Sequence, residues 1–170
     1  MLTGFYNRNV ATVTPHDLVV TAAALMRDLQ IGNVVVVKSS TSGEAQYPVG
    51  LLTDRDIALG CVASGATNIQ EMLVNEVMSV EPVCAHETDG LYETVQKMRK
   101  MGVSRLPVVD EKGVLVGIIT AKNILALLSD ELTEVVEISD VERETARNRA
   151  DLRERLGPPS LASVGWPFQS

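Results

Sequence analysis

The chain has 170 residues, with 15 Lys and Arg against 22 Asp and Glu, for a formal net charge of −7. That length allows one domain, or two small ones sharing a core, and 45% hydrophobic residues is the proportion of a folded chain, not a disordered one. The acidic balance argues against a protein that wraps nucleic-acid polymers by neutralising phosphates, and 4% aromatics argues against a base-stacking platform.

The chain opens Met1-Leu2-Thr3-Gly4-Phe5-Tyr6, with no basic stretch leading into an apolar one, so no signal peptide is visible. No apolar run approaches the roughly 18 residues that span a bilayer. A cytoplasmic protein without a membrane partner is therefore expected. A short extended segment, Val10 to Val13, comes first. Leu18, Ala22, Leu25, Met26 and Leu29 then recur on one helical face. Val34 to Val37 reads as a strand, and the polar stretch Ser39 to Tyr47 as a long hairpin loop. A second strand runs into Thr53, where a helix begins. Asn68 to Met78 joins this part to the next, as a helix or helical turns.

The same order then repeats. Glu81 to Cys84 is the second extended segment, and Leu91, Val95, Met98 and Met101 form the second helical face. Leu106 to Val109 matches Val34 to Val37, and Leu115 to Ile124 matches Pro48 to Ile57. Each copy is β-α-β-β-α, and about 60 residues is a marginal core on its own, so the two are expected to share one. The fold class is α+β. The boundaries are repeat one at 1–67, a linker at 68–78, repeat two at 79–130, a charged helix at 131–157 and a flexible tail at 158–170. Ser139 and Glu142 stand at capping-box spacing, and Gly157-Pro158-Pro159 is a stop, so the charged helix is read from about Asp140 to Leu156. Its apolar stripe, Val141, Ala146, Leu152 and Leu156, is thin. Trp166 and Phe168 lie beyond it without periodicity.

Cys61 and Cys84 are far apart and read as free thiols of a reducing compartment. His16 and His86 stand in no metal-ligand spacing. No Ser/His/Asp or Cys/His set and no glycine-rich phosphate loop is present, so the chain does not read as an enzyme.

The motif that could carry chemistry is Gly-h-h-Thr-x-x-(Asp/Asn), with h aliphatic, and it occurs twice. Thr53 or Thr120 sits at a strand-to-helix junction, and Asp56 or Asn123 follows three residues later. A helix start there suits a phosphate. A carboxylate there can accept hydrogen bonds from ribose hydroxyls. Arg55 and Lys122 can add charge-assisted contacts to phosphate. The plain alternative is a helix cap and nothing more.

On Gly50-Leu51-Leu52-Thr53-Asp54-Arg55-Asp56, Gly117-Ile118-Ile119-Thr120-Ala121-Lys122-Asn123 and Val103-Ser104-Arg105-Leu106-Pro107-Val108-Val109-Asp110, the chain resembles a tandem pair of cystathionine-β-synthase (CBS) domains, also called a Bateman module. The resemblance covers roughly Val10 to Ser129. It implies two repeats packed about a pseudo-twofold axis, with adenosine-containing ligands (AMP, ADP, ATP, NAD or S-adenosylmethionine) in clefts between them. Carried onto this chain, cleft one uses Val13, Thr14, Val34, Thr53, Arg55 and Asp56. Cleft two uses Val83, Arg105, Leu106, Pro107, Thr120, Lys122 and Asn123. Asn123 departs from the acid of the family pattern, and Asn33 stands where repeat two has Arg105. The resemblance further implies a regulatory module without a catalytic cofactor, a homodimer formed through its helices, and a protein effector acted on in trans. The other reading is a ligand-free dimerisation scaffold.

Overall fold

Val34, Val35, Val36 and Val37 are all almost fully buried, and that run explains the heart of the first repeat. Alternate side chains on a strand point to opposite faces, so a continuous β-branched run suits a strand covered on both sides. The computed structural model describes residue 2 and residues 4–156, and there the run forms β2, Asn33–Ser39. Val34 and Val36 pack into one core cluster with Val13, Ala22, Met26, Leu52 and Val74. Val35 and Val37 point the other way, into a second cluster with Ile118 of the second repeat.

Around it lie β1 (Thr12–Val13), α1 (Val19–Asp28) and β3 (Gln46–Thr53). A four-residue helix α2 (Asp54–Ile57) follows and widens into a π-type turn, Ala58–Ala63. The linker forms two short 3-10 turns, Ile69–Glu71 and Val74–Glu76. The second repeat holds β5 (Ala85–His86), α3 (Leu91–Met101), β6 (Arg105–Val109) and β7 (Leu115–Thr120). Ahead of β5, at the start of the second repeat, lies β4, Ser79–Val80. The first sheet has the order β1-β2-β3-β4 and the second β5-β6-β7. In each, the opening strand is parallel to its neighbour and the hairpin is antiparallel.

Each sheet is extended by backbone pairing with the opening segment of the other repeat, a strand in one case and a single bridge in the other. β4, at the start of repeat two, pairs with β3 of repeat one at Gly50 and Leu51. Asn7, near the start of repeat one, pairs with Ile118 of β7 in repeat two through two 2.9 Å hydrogen bonds. The glycine of each motif makes room for this. A Cβ at Gly50 would lie 2.5 Å from Met78 Sδ and 3.0 Å from the Ser79 carbonyl. A Cβ at Gly117 would collide with the Tyr6 ring and sit 2.8 Å from the Asn7 carbonyl. Leu2 and Tyr6 are buried in the core of repeat two with Met98, Leu106, Val108 and Ile119. Val74 takes the corresponding place in repeat one. Exchanging the repeats thus exchanges equivalent contacts, which is the pseudo-twofold relation.

Four expectations need correction. The second opening strand is Ala85–His86, not Glu81 to Cys84. In repeat one the Val35 N–H donates to the Ala11 carbonyl, but Pro107 occupies the matching place and has no N–H. Glu81 also turns the chain with φ of 50°. Second, the buried face of α1 runs through Val19, Ala22 and Met26, while Leu18 and Leu29 are exposed. Third, in α3 the buried face is Thr94 and Met98, and Val95 and Met101 are exposed. The Thr94 hydroxyl is accommodated because it donates to the Gly90 carbonyl at 2.9 Å. Fourth, the charged helix is not separate. A single helix α4 runs Ala121–Leu156, 36 residues, because no Gly or Pro interrupts it. Ser139 does not cap a new helix; its hydroxyl donates back to the Val135 carbonyl at 3.3 Å.

The chain divides into two compact units, Met1–Leu125 and Ala126–Ser170. Both sheets lie in the first. Every described side chain from residue 128 to 155 in the second is exposed. The tail from residue 157, with the Gly157-Pro158-Pro159 stop, Trp166 and Phe168, lies outside the described residues, as does the side chain of Leu156.

Candidate functional site

The two motifs fold into equivalent strand-to-helix junctions. In repeat one, the Thr53 N–H donates to Asp56 Oδ2 at 2.9 Å and the Thr53 hydroxyl donates to the same oxygen at 2.7 Å. The Asp56 N–H donates back to Thr53 Oγ1 at 3.1 Å. Reciprocal bonding of this kind holds the first turn of α2 closed. It occupies Oδ2 of Asp56 and leaves Oδ1 without a hydrogen-bond partner among the described residues. In repeat two, the Thr120 hydroxyl donates to Asn123 Oδ1 at 2.6 Å, and the Asn123 N–H donates to Thr120 Oγ1 at 3.1 Å. The group left over there is the Asn123 NH₂, a donor where Asp56 offers an acceptor.

The hairpin register sets the neighbours. Asn33 pairs with Thr53, and Arg105 pairs with Thr120. The Asp54 N–H donates to the Gly32 carbonyl, and the Ala121 N–H donates to the matching Ser104 carbonyl. Asp54, Arg55 and Lys122 are exposed at the mouths of the two junctions. Around the first junction stand Asn33, Asp54, Arg55 and Asp56, one cation against two anions. Around the second stand Arg105, Lys122 and Asn123, two cations and no anion.

The remaining expected site residues divide by burial. Val34 and Leu106 are fully buried with their side chains in the two repeat cores, so only their backbone groups remain for a ligand. Pro107 is buried opposite Ile118. Val13 is buried against Val36, and Thr14 is exposed beside it. The positions matching Val13 and Thr14 in repeat two are Ala85 and His86. Val83 stands two residues earlier and lines an open cavity of about 780 Å³ with Cys84, Gln96 and Lys97. Asp54 lines two further open cavities, one with Gly32 and Ile57, the other with Arg55, Ala58 and Leu59.

Two acids that the motif does not contain fix the opening turns. Asp17 Oδ2 accepts from the Thr14 N–H at 2.6 Å, and Asp89 Oδ2 accepts from the His86 N–H at 3.0 Å. Their identical place in the two copies was the available signal. Lys97 completes the second turn, donating to Asp89 and to the Cys84 carbonyl, each at 3.0 Å. Burial pushes the Asp89 carboxyl up, but the His86 N–H and the Lys97 ammonium outweigh it and hold it below its usual value. Burial raises the Cys84 thiol, with Lys97 opposing. Burial and the Glu76 charge raise the Cys61 thiol. Both cysteines are free; Cys61 is buried and Cys84 half-buried.

The CBS domain pattern matches the chain twice, at residues 3–60 and 74–130. The chain belongs to the CBS domain family. Among curated relatives it is 36% identical over 118 residues to the uncharacterized protein MK0525 of Methanopyrus kandleri, covering 69% of this chain and 57% of the relative. It therefore spans just over half the length of that protein. It is 38% identical over 110 residues to the CBS domain-containing protein YhcV of Bacillus subtilis, covering 65% of this chain and 72% of the relative. Among solved structures it superposes on the CBS domain pair of protein MJ0100 in complex with 5′-methylthioadenosine and S-adenosyl-L-methionine, with a TM-score of 0.63. That match has 23% identity and covers 75% of this chain and 98% of the other. The first matched repeat lies within the first compact unit, and the second lies in it up to Leu125. No helix among the described residues is long and apolar enough to cross a membrane.

Proposed function

We propose that the CBS pair is a regulatory module that binds adenosine-containing ligands at the two Thr-x-x-(Asp/Asn) junctions and signals by a change in the angle between repeats. The observation that carries this reading is the free Oδ1 of Asp56 beside a helix start. It is a carboxylate oxygen held in place by the cap, open to a ribose diol. The adenosyl compounds in the MJ0100 CBS pair support the ligand class. The first cleft comprises Val13, Thr14, Val34, Thr53, Arg55 and Asp56. The second comprises Val83, Arg105, Leu106, Pro107, Thr120, Lys122 and Asn123. With the Asp56 carboxylate and exposed Asp54 beside it against Arg55 alone, the first favours an unphosphorylated or cationic adenosyl ligand. With two cations and an amide donor, the second favours AMP or ATP. The chain has no catalytic role on this reading, and it acts on a protein effector. It pairs with a second copy through exposed apolar side chains such as Leu29, Ile31, Leu59 and Leu125.

Thermal melting with AMP, ATP, NAD and S-adenosylmethionine tests the reading. A ligand at 100 times its Kd adds about 2.7 kcal/mol. Asp56→Ala is expected to abolish the shift by S-adenosylmethionine and spare that by ATP, and Asn123→Ala to do the reverse. No shift with any of the four would leave the ligand-free scaffold as the function.

A further inference from the structure

We propose that the exposed part of α4 pairs with α4 of a second copy, in antiparallel orientation, forming a second self-association surface that is independent of the ligand clefts. Leu128, Leu132, Val135 and Val136 are 45–67% exposed. With Ser139, Arg143, Ala146 and Ala150 they lie on one face, where Arg143 is the one charge and turns to Asp140 at 3.4 Å. Positions 128, 132, 135 and 139 are spaced by four, three and four residues, and 139, 143, 146 and 150 repeat that spacing. An 11-residue period keeps a stripe in line on a nearly straight helix. The Ser139 hydroxyl is turned back onto the Val135 carbonyl, so it does not interrupt the stripe with an unmet polar group. Ile138, Val141 and Leu152 lie on another face.

Charge selects the occupant and its direction. From Glu131 to Glu144 the helix carries six acids and one base, and from Thr145 to Arg155 four bases and two acids. Parallel copies would set acid on acid. Antiparallel copies set the acidic half of each helix on the basic half of the other. Large and small residues then also complement each other. Leu132 falls opposite Ala150 and Val136 opposite Ala146, with Glu134 beside Arg149. From residue 128 on, α4 has no covered face among the described side chains, and it gains little from its own ion pairs, Asp140 with Arg143 and Asp151 with Arg155. Burying the stripe supplies what those pairs do not.

The test uses the full chain carrying Leu132→Cys and Ala150→Cys under mild oxidation, with peptide mass mapping. The expected product is a covalent dimer in which position 132 of one chain is joined to position 150 of the other. Within one helix those positions are roughly 27 Å apart, so the bond cannot form inside a chain. Each single variant is expected to give little dimer. Glu134→Arg or Arg149→Glu alone is expected to lower the yield of the mapped bond roughly three- to tenfold, and the two together to restore it. Bonds joining 132 to 132 and 150 to 150 would overturn the orientation. A chain that keeps its helical circular dichroism yet forms neither product would overturn the pairing, whatever the ligand experiments give.

Discussion

Replacing Gly117 by alanine tests how the two repeats are joined. Its φ is not in the left-handed region, so alanine suits the backbone and would by itself stabilise by about 0.4–1 kcal/mol. Its added Cβ, however, falls on the Tyr6 ring and 2.8 Å from the Asn7 carbonyl. The segment must move away. Tyr6 is 8% exposed, and releasing a ring of that burial costs about 1.5–3 kcal/mol. The two Asn7–Ile118 hydrogen bonds contribute about 0.5–1.5 kcal/mol each. The net loss is then roughly 2–5 kcal/mol, readable as an earlier midpoint in urea unfolding followed by circular dichroism. Gly50→Ala should cost less, because the atom it meets first is the flexible end of Met78. Gly102→Ala is the control for backbone conformation alone. Its φ is 66° with open space around it, so a loss of about 1–2 kcal/mol is expected. Tyr6→Ala combined with Gly117→Ala should cost less than the two losses added. A Gly117→Ala protein as stable as the parent, or strict additivity with Tyr6→Ala, would refute the crowding argument.

Leu2→Ala should destabilise by about 2–5 kcal/mol in calorimetry, because Leu2 is fully buried in the second repeat's core; a loss near zero would mean the amino-terminal segment does not dock there. Asp89→Asn should cost about 1.5–3 kcal/mol at neutral pH, since it weakens charge-assisted bonds to Lys97 and the His86 N–H. The folded carboxyl titrates below its ordinary 3.8, so its stabilisation is complete above that pH and is lost as pH falls through the lower folded value. The gap between parent and variant should therefore be constant from pH 5 to 8 and close in stronger acid. Urea midpoints that keep the gap in acid would contradict the assignment.

What was legible in the sequence was local. The repeated Gly-h-h-Thr-x-x-(Asp/Asn) run and the Val34–Val37 strand carry their signals within a few residues, and the junctions form as those signals require. The buried faces of α1 and α3 were misplaced because Val19 and Thr94 fall between apolar neighbours that look equally good by period. Thr94 in particular is polar, and only its bond to the Gly90 carbonyl makes it a core residue. The opening strand of repeat two was misplaced because the donor it needs is missing at Pro107, far along the chain. The same distance hid the role of Leu2 and Tyr6. α4 was divided because Ser-x-x-Glu is a spacing that arises easily inside a charged helix. At the site, the Thr–Asp and Thr–Asn pairs were legible, but Asp17, Asp89 and Lys97 lie outside the motif.

The exchanged edge strands also order events during synthesis. Repeat one can close as soon as Ser79–Val80 emerges beside Gly50. Asn7 must wait for Ile118, which is made near the end of the second repeat. Until then Leu2 and Tyr6 are exposed, and so is the Val35 and Val37 face that packs on Ile118. This pairing closes a longer loop than the β3–β4 pairing and so carries the larger closure entropy. A ribosome stalled before residue 118 would hold a first repeat with two apolar surfaces uncovered, the Leu2–Tyr6 segment and the Val35–Val37 face, a state open to capture by a chaperone or to mispairing between neighbouring nascent chains.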